Sequence, residues 1–323
     1  MKNKVIISRM GIIGLAVLML SAAGCTFGKE EPQPSANVES QSQANLNIVE
    51  WNGKKYTYNT NLENILFLGI DQDEAFQEEY LAGDAGQADC IMLLSLNKET
   101  NQASVIQINR NTMAELDLYD LNGNKGGSQQ GQLCLQYAYN IGGSSSCWSM
   151  VQTVRDVLFG LPIDGYFAMD MAGIPEINDA LGGVNVTMNA DYTMIHPDFA
   201  AGNTVHLTGE LAERFVRYRD IDEFDSVSNR MERQVDYVTA MIGSLKEHGG
   251  SELYDILVPY LDTYIITDMD AEQMNALASY DYQSDQIQYL PGETIMGEKY
   301  EEYHLDDDAL MDMIIETFYT EVE

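Results

Sequence analysis

The chain has little positive charge. Its 323 residues include 17 Lys and Arg against 51 Asp and Glu, giving a formal charge of −34 and a pI near 4.1. No broad basic stripe is available to track a phosphate backbone, so nucleic acid is excluded as a partner. Histidine and cysteine are equally scarce, with four of each. His196, His206, His248 and His304 show no HExxH-type spacing and no CxxC pair exists, which argues against a zinc site. No internal repeat is visible. What is present is an apolar content of 45% with 9% aromatics, the signature of a globular chain long enough for one large core or two smaller ones.

The N-terminus reads as a targeting segment. Lys2, Lys4 and Arg9 precede the apolar run Met10 to Ala23, which is 14 residues long. That is short of the ~20 residues that span a bilayer and suits a signal peptide. The run leads into Ser21-Ala22-Ala23-Gly24-Cys25, and small residues directly before a cysteine resemble the lipobox of a bacterial lipoprotein. Residues 1–24 are therefore expected to be cleaved, with Cys25 lipidated. The alternatives are an ordinary signal peptide or an uncleaved anchor. In each case the remainder is expected outside the cytoplasmic membrane; as a lipoprotein it is expected to be tied to the outer face. Residues 25–48 are rich in Pro, Ser, Gln, Asn and Glu and read as a flexible tether. An oxidising compartment permits a disulfide, and Cys134 with Cys147, closing a short loop, is the candidate pair. Cys90 lies in an apolar run and reads as a buried thiol.

The scarce cations are not scattered. Five of the eight arginines fall between Leu207 and Gln234: Arg214, Arg217, Arg219, Arg230 and Arg233. Two readings compete, an anion pocket for phosphate and a solvated helix face laced with ion pairs. Thr208 can cap a helix carrying Leu211, Phe215 and Tyr218 on one face. Were that helix to continue, Arg217 and Arg219 would point about 200° apart. A change to extended backbone near Val216 would align them instead. Asn229 is a candidate N-cap for a second helix, with Glu232 as capping-box partner, placing Arg230 in its first turn.

Upstream, Asn64 to Ile70, Cys90 to Leu96 and Ala103 to Asn109 read as strands, the first buried on both faces. Near neighbours pair as hairpins, so the sheet is at least partly antiparallel. Asp71 and Arg110 stand just past strand ends, where open α/β sheets bind ligands; an ordinary surface ion pair is the alternative. Leu116 to Gly131 reads as a long loop or lid. Cys134 to Asn140 and Trp148 to Phe159 read as helical. Ile163 to Met169 and Val184 to Met188 read as strands flanking a helix, Ala172 to Leu181. The expected class is α/β, a three-layer αβα sandwich with a central mixed sheet over 49–247. Residues 248–323 are expected as a mainly helical C-terminal extension packed on the same domain, with a short strand at Gln286 to Leu290.

Several stretches together resemble the catalytic domain of the LytR-CpsA-Psr family. They are NILFLGID (Asn64 to Asp71), GQADCIMLLSL (Gly86 to Leu96), INRNT (Ile108 to Thr112), PIDGYFAMD (Pro162 to Asp170), DALGGVNV (Asp179 to Val186), LTGELAERFVRYR (Leu207 to Arg219) and RMERQ (Arg230 to Gln234). The resemblance implies an extracytoplasmic phosphotransferase of cell-wall biogenesis. Such a protein moves a glycopolymer from a polyprenyl-pyrophosphate carrier to peptidoglycan as a phosphodiester, with the prenyl tail in an apolar tunnel. It implies Asp71 and Asp89 as ligands of Mg²⁺, and Arg110, Arg217, Arg219 and Arg230 around the pyrophosphate. Arg233 and Gln234 fall within the motif as further candidate contacts. Two positions depart from the family pattern: Asn111 stands where an Asp is usual, and Gln87 where an Arg is common. An amide cannot serve as a base. A low-activity or inactive relative that only binds polyprenyl-pyrophosphate glycans is therefore the alternative, and a phosphohydrolase a third.

Overall fold

The computed structural model describes residues 48–322 except 73, 78, 79, 82, 221 and 249–252. The signal, the lipobox cysteine Cys25 and the tether lie outside the described residues. A short hairpin, β1 (Ile48–Trp51) and β2 (Lys54–Tyr58), leads into β3 (Leu62–Ile70), β4 (Ala88–Asn97) and β5 (Gln102–Gln107). Then follow β6 (Met113–Tyr119) and β7 (Lys125–Gln132), α1 (Leu135–Ala138), α2 (Gly143–Val157), β8 (Gly165–Asp170) and α3 (Ile174–Ala180). The hairpin β9 (Val184–Thr187) and β10 (Thr204–Leu207) precedes α4 (Gly209–Arg217) and the long α5 (Ser226–His248). The C-terminal part adds α6 (Leu253–Leu257), β11 (Ile265–Thr267), α7 (Ala271–Leu277), β12 (Asp281–Tyr289), β13 (Gly292–Met296), β14 (Glu301–Leu305), α8 (Asp307–Phe318) and β15 (Tyr319–Val322).

Six strands form the central sheet in the order β11-β8-β3-β4-β5-β12. β3 pairs with β4 antiparallel and with β8 parallel, and β5 pairs with β12 parallel, so the sheet is mixed. The apolar run of β3 explains its central place. Ile65 and Phe67 face one core with α3, α4, α5 and α6, whereas Leu66, Leu68 and Ile70 face a second with α1, α2 and α8. Period-two alternation with both faces apolar needs a helical layer on each side. The result is the expected three-layer sandwich. Each fully buried Leu or Ile stabilises it by roughly 1.5–3 kcal/mol.

Four local expectations change. The stretch read as a loop or lid is the β6-β7 hairpin, in register from Met113↔Gln132 to Tyr119↔Lys125. Ala114 and Leu116 are buried while β7 is mostly exposed, so β7 is held by its backbone rather than by apolar side chains. Asp120 fixes the turn by accepting from the N–H groups of Asn122 and Asn124 at 2.8 and 2.9 Å. The strand at Val184 is not in the central sheet; among the described residues it pairs only with β10. The extension expected to be mainly helical supplies both edge strands, β11 and β12, as well as the β13-β14 hairpin. Finally, the candidate pair Cys134 and Cys147 is two free buried thiols. Cys134 faces Gln87, with Sγ 3.6 Å from Oε1, whereas Cys147 packs in the α2 core. Burial pushes their pKa values up to about 11 and about 12.

Candidate active site

The site sits at one edge of the sheet, where β3 ends, β4 begins and β5 ends. Asp71 follows β3, Asp89 is the second residue of β4, and Arg110 lies three residues past β5. Antiparallel pairing of β4 with both neighbours brings these three positions to the same edge. Gly86 adopts φ +81°, and a Cβ there would come 2.9 Å from the Asp71 carbonyl oxygen. Only glycine allows that approach, which lets the Asp71 N–H donate to the Gln87 carbonyl at 2.9 Å.

The arginines arrive from the helical side. α4 ends at Arg217, and Tyr218 takes an extended conformation (φ −55°, ψ 134°). The break that separates Arg217 and Arg219 from a continuing helix is thus present, two residues later than Val216. Thr208 occupies the N-cap position of α4 but its side chain makes no capping bond. α5 starts at Ser226, so Asn229 lies inside it and is not its cap. Asp225, with φ +58°, makes the sharp entry, and its Oδ1 accepts from Ser228 Oγ at 2.8 Å. Arg230 consequently sits in the second turn rather than the first.

Asp89 is the electrostatic centre. Its Oδ1 lies 2.7 Å from Arg110 Nε and its Oδ2 accepts from Arg230 Nη1 at 2.6 Å. Asp71 pairs with Arg217 Nη2 at 3.1 Å, and Arg217 also reaches Glu213 at 3.1 Å. Arg110 donates to Gln87 Oε1 and, at 3.4 Å, to Asn111 Oδ1. Arg219 donates through Nε to Ser226 Oγ at 3.0 Å. Its pKa is lowered, first by burial and then by the neighbouring Arg230 and Arg110 charges. Two guanidiniums thus grip one carboxylate, with a third, Arg219, close enough to feel their charge. Arg230 is 4% exposed, yet its Nε and Nη2 have no hydrogen-bond partner among the described residues. Buried unpaired donors are costly, and an anion would satisfy them.

Other expected contacts lie elsewhere. Arg233 is spent on backbone: Nε donates to Phe215 O at 2.9 Å, Nη1 to Asn229 O at 3.0 Å, and Nη2 to Tyr218 O. Its guanidinium also lies 5.3 Å from the Tyr192 ring centroid. It therefore holds the end of α4, with each guanidinium nitrogen on a backbone carbonyl. Arg214 is exposed. Gln234 is buried, lining a small apolar cavity with Phe67, Cys90 and Val216, and its Oε1 is unpartnered. Asn111 is 3% exposed, and its Oδ1 also accepts from Gln132 Nε2 at 3.1 Å.

One participant was missed in the sequence. Glu301, on β14, places Oε2 3.9 Å from Arg219 Nη2. Nothing marked it out among the many acids of the C-terminal part. Two apolar cavities of about 60 and 30 Å³ lie under the site, between the sheet and α5. Among the described residues, no three Asp, Glu, His or Cys side chains form a ready metal cluster.

A mixed sheet with converging arginines and carboxylates at its strand ends defines an α/β protein whose site has donors of the kind that suit a phosphate-type anion. The model of the LytR_cpsA_psr family matches residues 27–316, and the chain belongs to that family. It is 30% identical over 244 residues to the polyisoprenyl-teichoic acid–peptidoglycan teichoic acid transferase TagU of Bacillus cereus, covering 73% of this chain and 70% of that one. Its fold is similar to that of Bacillus subtilis TagU, with TM-score 0.56 and 19% identity, covering 80% of this chain and 95% of that one. Protein gbs0355 of Streptococcus agalactiae gives TM-score 0.61 at 20% identity, with 79% and 86% covered.

Proposed function

We propose that the chain transfers a glycopolymer from a polyprenyl-pyrophosphate carrier to peptidoglycan. The observation that carries this reading is the buried Arg230, with two nitrogens, Nε and Nη2, unpartnered among the described residues, beside Arg110 and Arg219. Phosphoryl transfer is mostly positioning and charge neutralisation, and this cluster supplies both. Arg110, Arg219 and Arg230 would grip the non-bridging oxygens. Arg217 would reach the outer edge, where Asp71 is partly exposed. The acceptor hydroxyl oxygen forms a bond to the phosphorus that bears the glycan. The bond from that phosphorus to the bridging oxygen breaks, and polyprenyl monophosphate leaves, taking up the hydroxyl proton.

Asp71 and Asp89 suit a hard cation by their donor chemistry: two carboxylates at one sheet edge, beside a ligand that brings phosphate oxygens. They would hold Mg²⁺, which would neutralise charge on the pyrophosphate. The largely apolar lining of the two cavities, interrupted by Gln234 in the smaller one, supports a prenyl tail between sheet and α5, with those cavities widening to admit it. Lipidation at Cys25 would keep the site at the membrane face where such a carrier resides.

The test is transfer by the full chain with Mg²⁺, a short-chain polyprenyl-pyrophosphate glycan and peptidoglycan, following linked product and released polyprenyl phosphate. Linked product supports the reading; release without linkage would make the chain a phosphohydrolase. A second reading, a binding module, is favoured by Asn111, whose Oδ1 is engaged by Arg110 and Gln132 where a base would be useful. Metal-dependent donor binding without product would establish it.

A further inference from the structure

Arg219 is the least anchored member of the buried cluster. Arg110 and Arg230 repel it, and its Nε has one hydroxyl partner, Ser226. Left to that repulsion, a long flexible side chain would swing to solvent. The counterweight comes from the far end of the chain. Glu301 is 9% exposed and its Oε2, buried and without a hydrogen bond, faces the Arg219 guanidinium at 3.9 Å. Its Oε1 accepts from the Asp225 N–H at 2.8 Å, at the turn that opens α5.

Glu301 is itself fixed from two sides. Its backbone carbonyl accepts from Gln132 Nε2 at 2.8 Å, and that same nitrogen donates to Asn111 Oδ1. The Tyr303 N–H donates to the Asn111 carbonyl at 2.9 Å, and Thr294 Oγ1 donates to Asp225 Oδ1 at 2.8 Å. The β13-β14 hairpin therefore ties the loop after β5, which carries Arg110, to the turn before α5, which lies between Arg219 and Arg230. We infer that Glu301 is a positioning residue of the donor site, aiming Arg219 at the pyrophosphate, and that the hairpin is part of the site. The inference rests on the transferase reading.

The sign of one effect separates this from simple charge. Removing a carboxylate from beside an anion pocket should, by Coulomb attraction alone, tighten anion binding. Loss of aim weakens it instead. The experiment measures inorganic pyrophosphate binding by calorimetry, and transfer by the full chain, for Glu301→Gln, Glu301→Asp, Arg219→Ala and Glu301→Gln/Arg219→Ala. The expected result is roughly tenfold weaker pyrophosphate binding and a kcat/KM lower by about the same factor in Glu301→Gln, within the ~100-fold that a 1 Å misplacement can cost. Glu301→Asp restores most of it. In the Arg219→Ala background, Glu301→Gln has little further effect, because the two act as one unit. Tighter pyrophosphate binding by Glu301→Gln, or losses that simply add in the double variant, would overturn the inference. If the wild type binds pyrophosphate but transfers nothing, the transferase reading fails while the binding comparison still decides the role of Glu301.

Discussion

Asp89 is the point at which the site and the stability of the fold meet. Replacing it with Ala leaves Arg110 and Arg230 facing one another with no carboxylate between them. The side chains of Asp89, Arg110 and Arg230 are 10%, 12% and 5% exposed, so solvent can do little to replace it. Breaking a buried pair by removing one partner costs about 3–5 kcal/mol. For a chain of this size that corresponds to a fall in Tm of roughly 5–8 °C. The assay is thermal unfolding of wild type and Asp89→Ala in metal-free buffer, with and without inorganic pyrophosphate. Without the anion, the variant melts lower. With it, the variant recovers more than the wild type gains, because the freed guanidiniums bind the anion more tightly and binding to the folded state stabilises it. A drop no larger than an exposed pair gives, about 1 kcal/mol, or an equal response to pyrophosphate in both proteins, would refute the account of Asp89.

Arg233→Lys should destabilise the chain by about 2–3 kcal/mol and weaken transfer, since a lysine cannot span three carbonyls on Phe215, Tyr218 and Asn229; denaturant unfolding checks the first and the transfer assay the second. Asp236 has its pKa raised to about 6, first by burial and then by Glu232. A carboxyl whose folded pKa is raised contributes stability fully below its unfolded value of 3.8 and loses it as pH rises through about 6. Asp236→Asn should therefore stabilise the chain at pH 7 by on the order of 1–2 kcal/mol after solvent screening, with no gain at pH 3.5, as read by urea titration at both pH values. Asn111→Asp should raise the transfer rate: a carboxylate keeps the acceptor contacts to Arg110 and Gln132 and adds an oxygen able to take a proton. An unchanged rate would show that the amide is no handicap.

The central strands were legible because β3 and β4 are apolar on both faces, a pattern few other elements share. Asp71, Asp89 and Arg110 were legible as charges adjoining those runs. The β6-β7 hairpin was not, because its second strand, KGGSQQGQ, buries almost nothing and is held by backbone pairing. β12 was foreseen only in part, since its polar residues lie at the sheet edge where little apolar patterning is required. The arginine cluster was found as a group but not sorted. Whether a guanidinium faces a ligand or three carbonyls, as Arg233 does, depends on the bend at Tyr218 and not on spacing. Glu301 left no local signal, because its partners Asp225 and Gln132 are distant in the chain.

The most direct measurement is transfer of a short-chain polyprenyl-pyrophosphate glycan to peptidoglycan by the full chain, compared with Arg230→Ala. The account predicts linked product from the wild type and a loss of roughly 10²–10³ in rate for the variant, the usual cost of removing one donor aimed at developing charge. Wild-type rates in Arg230→Ala would contradict it, because the unpartnered N–H groups of that arginine would then have nothing to do with the phosphate.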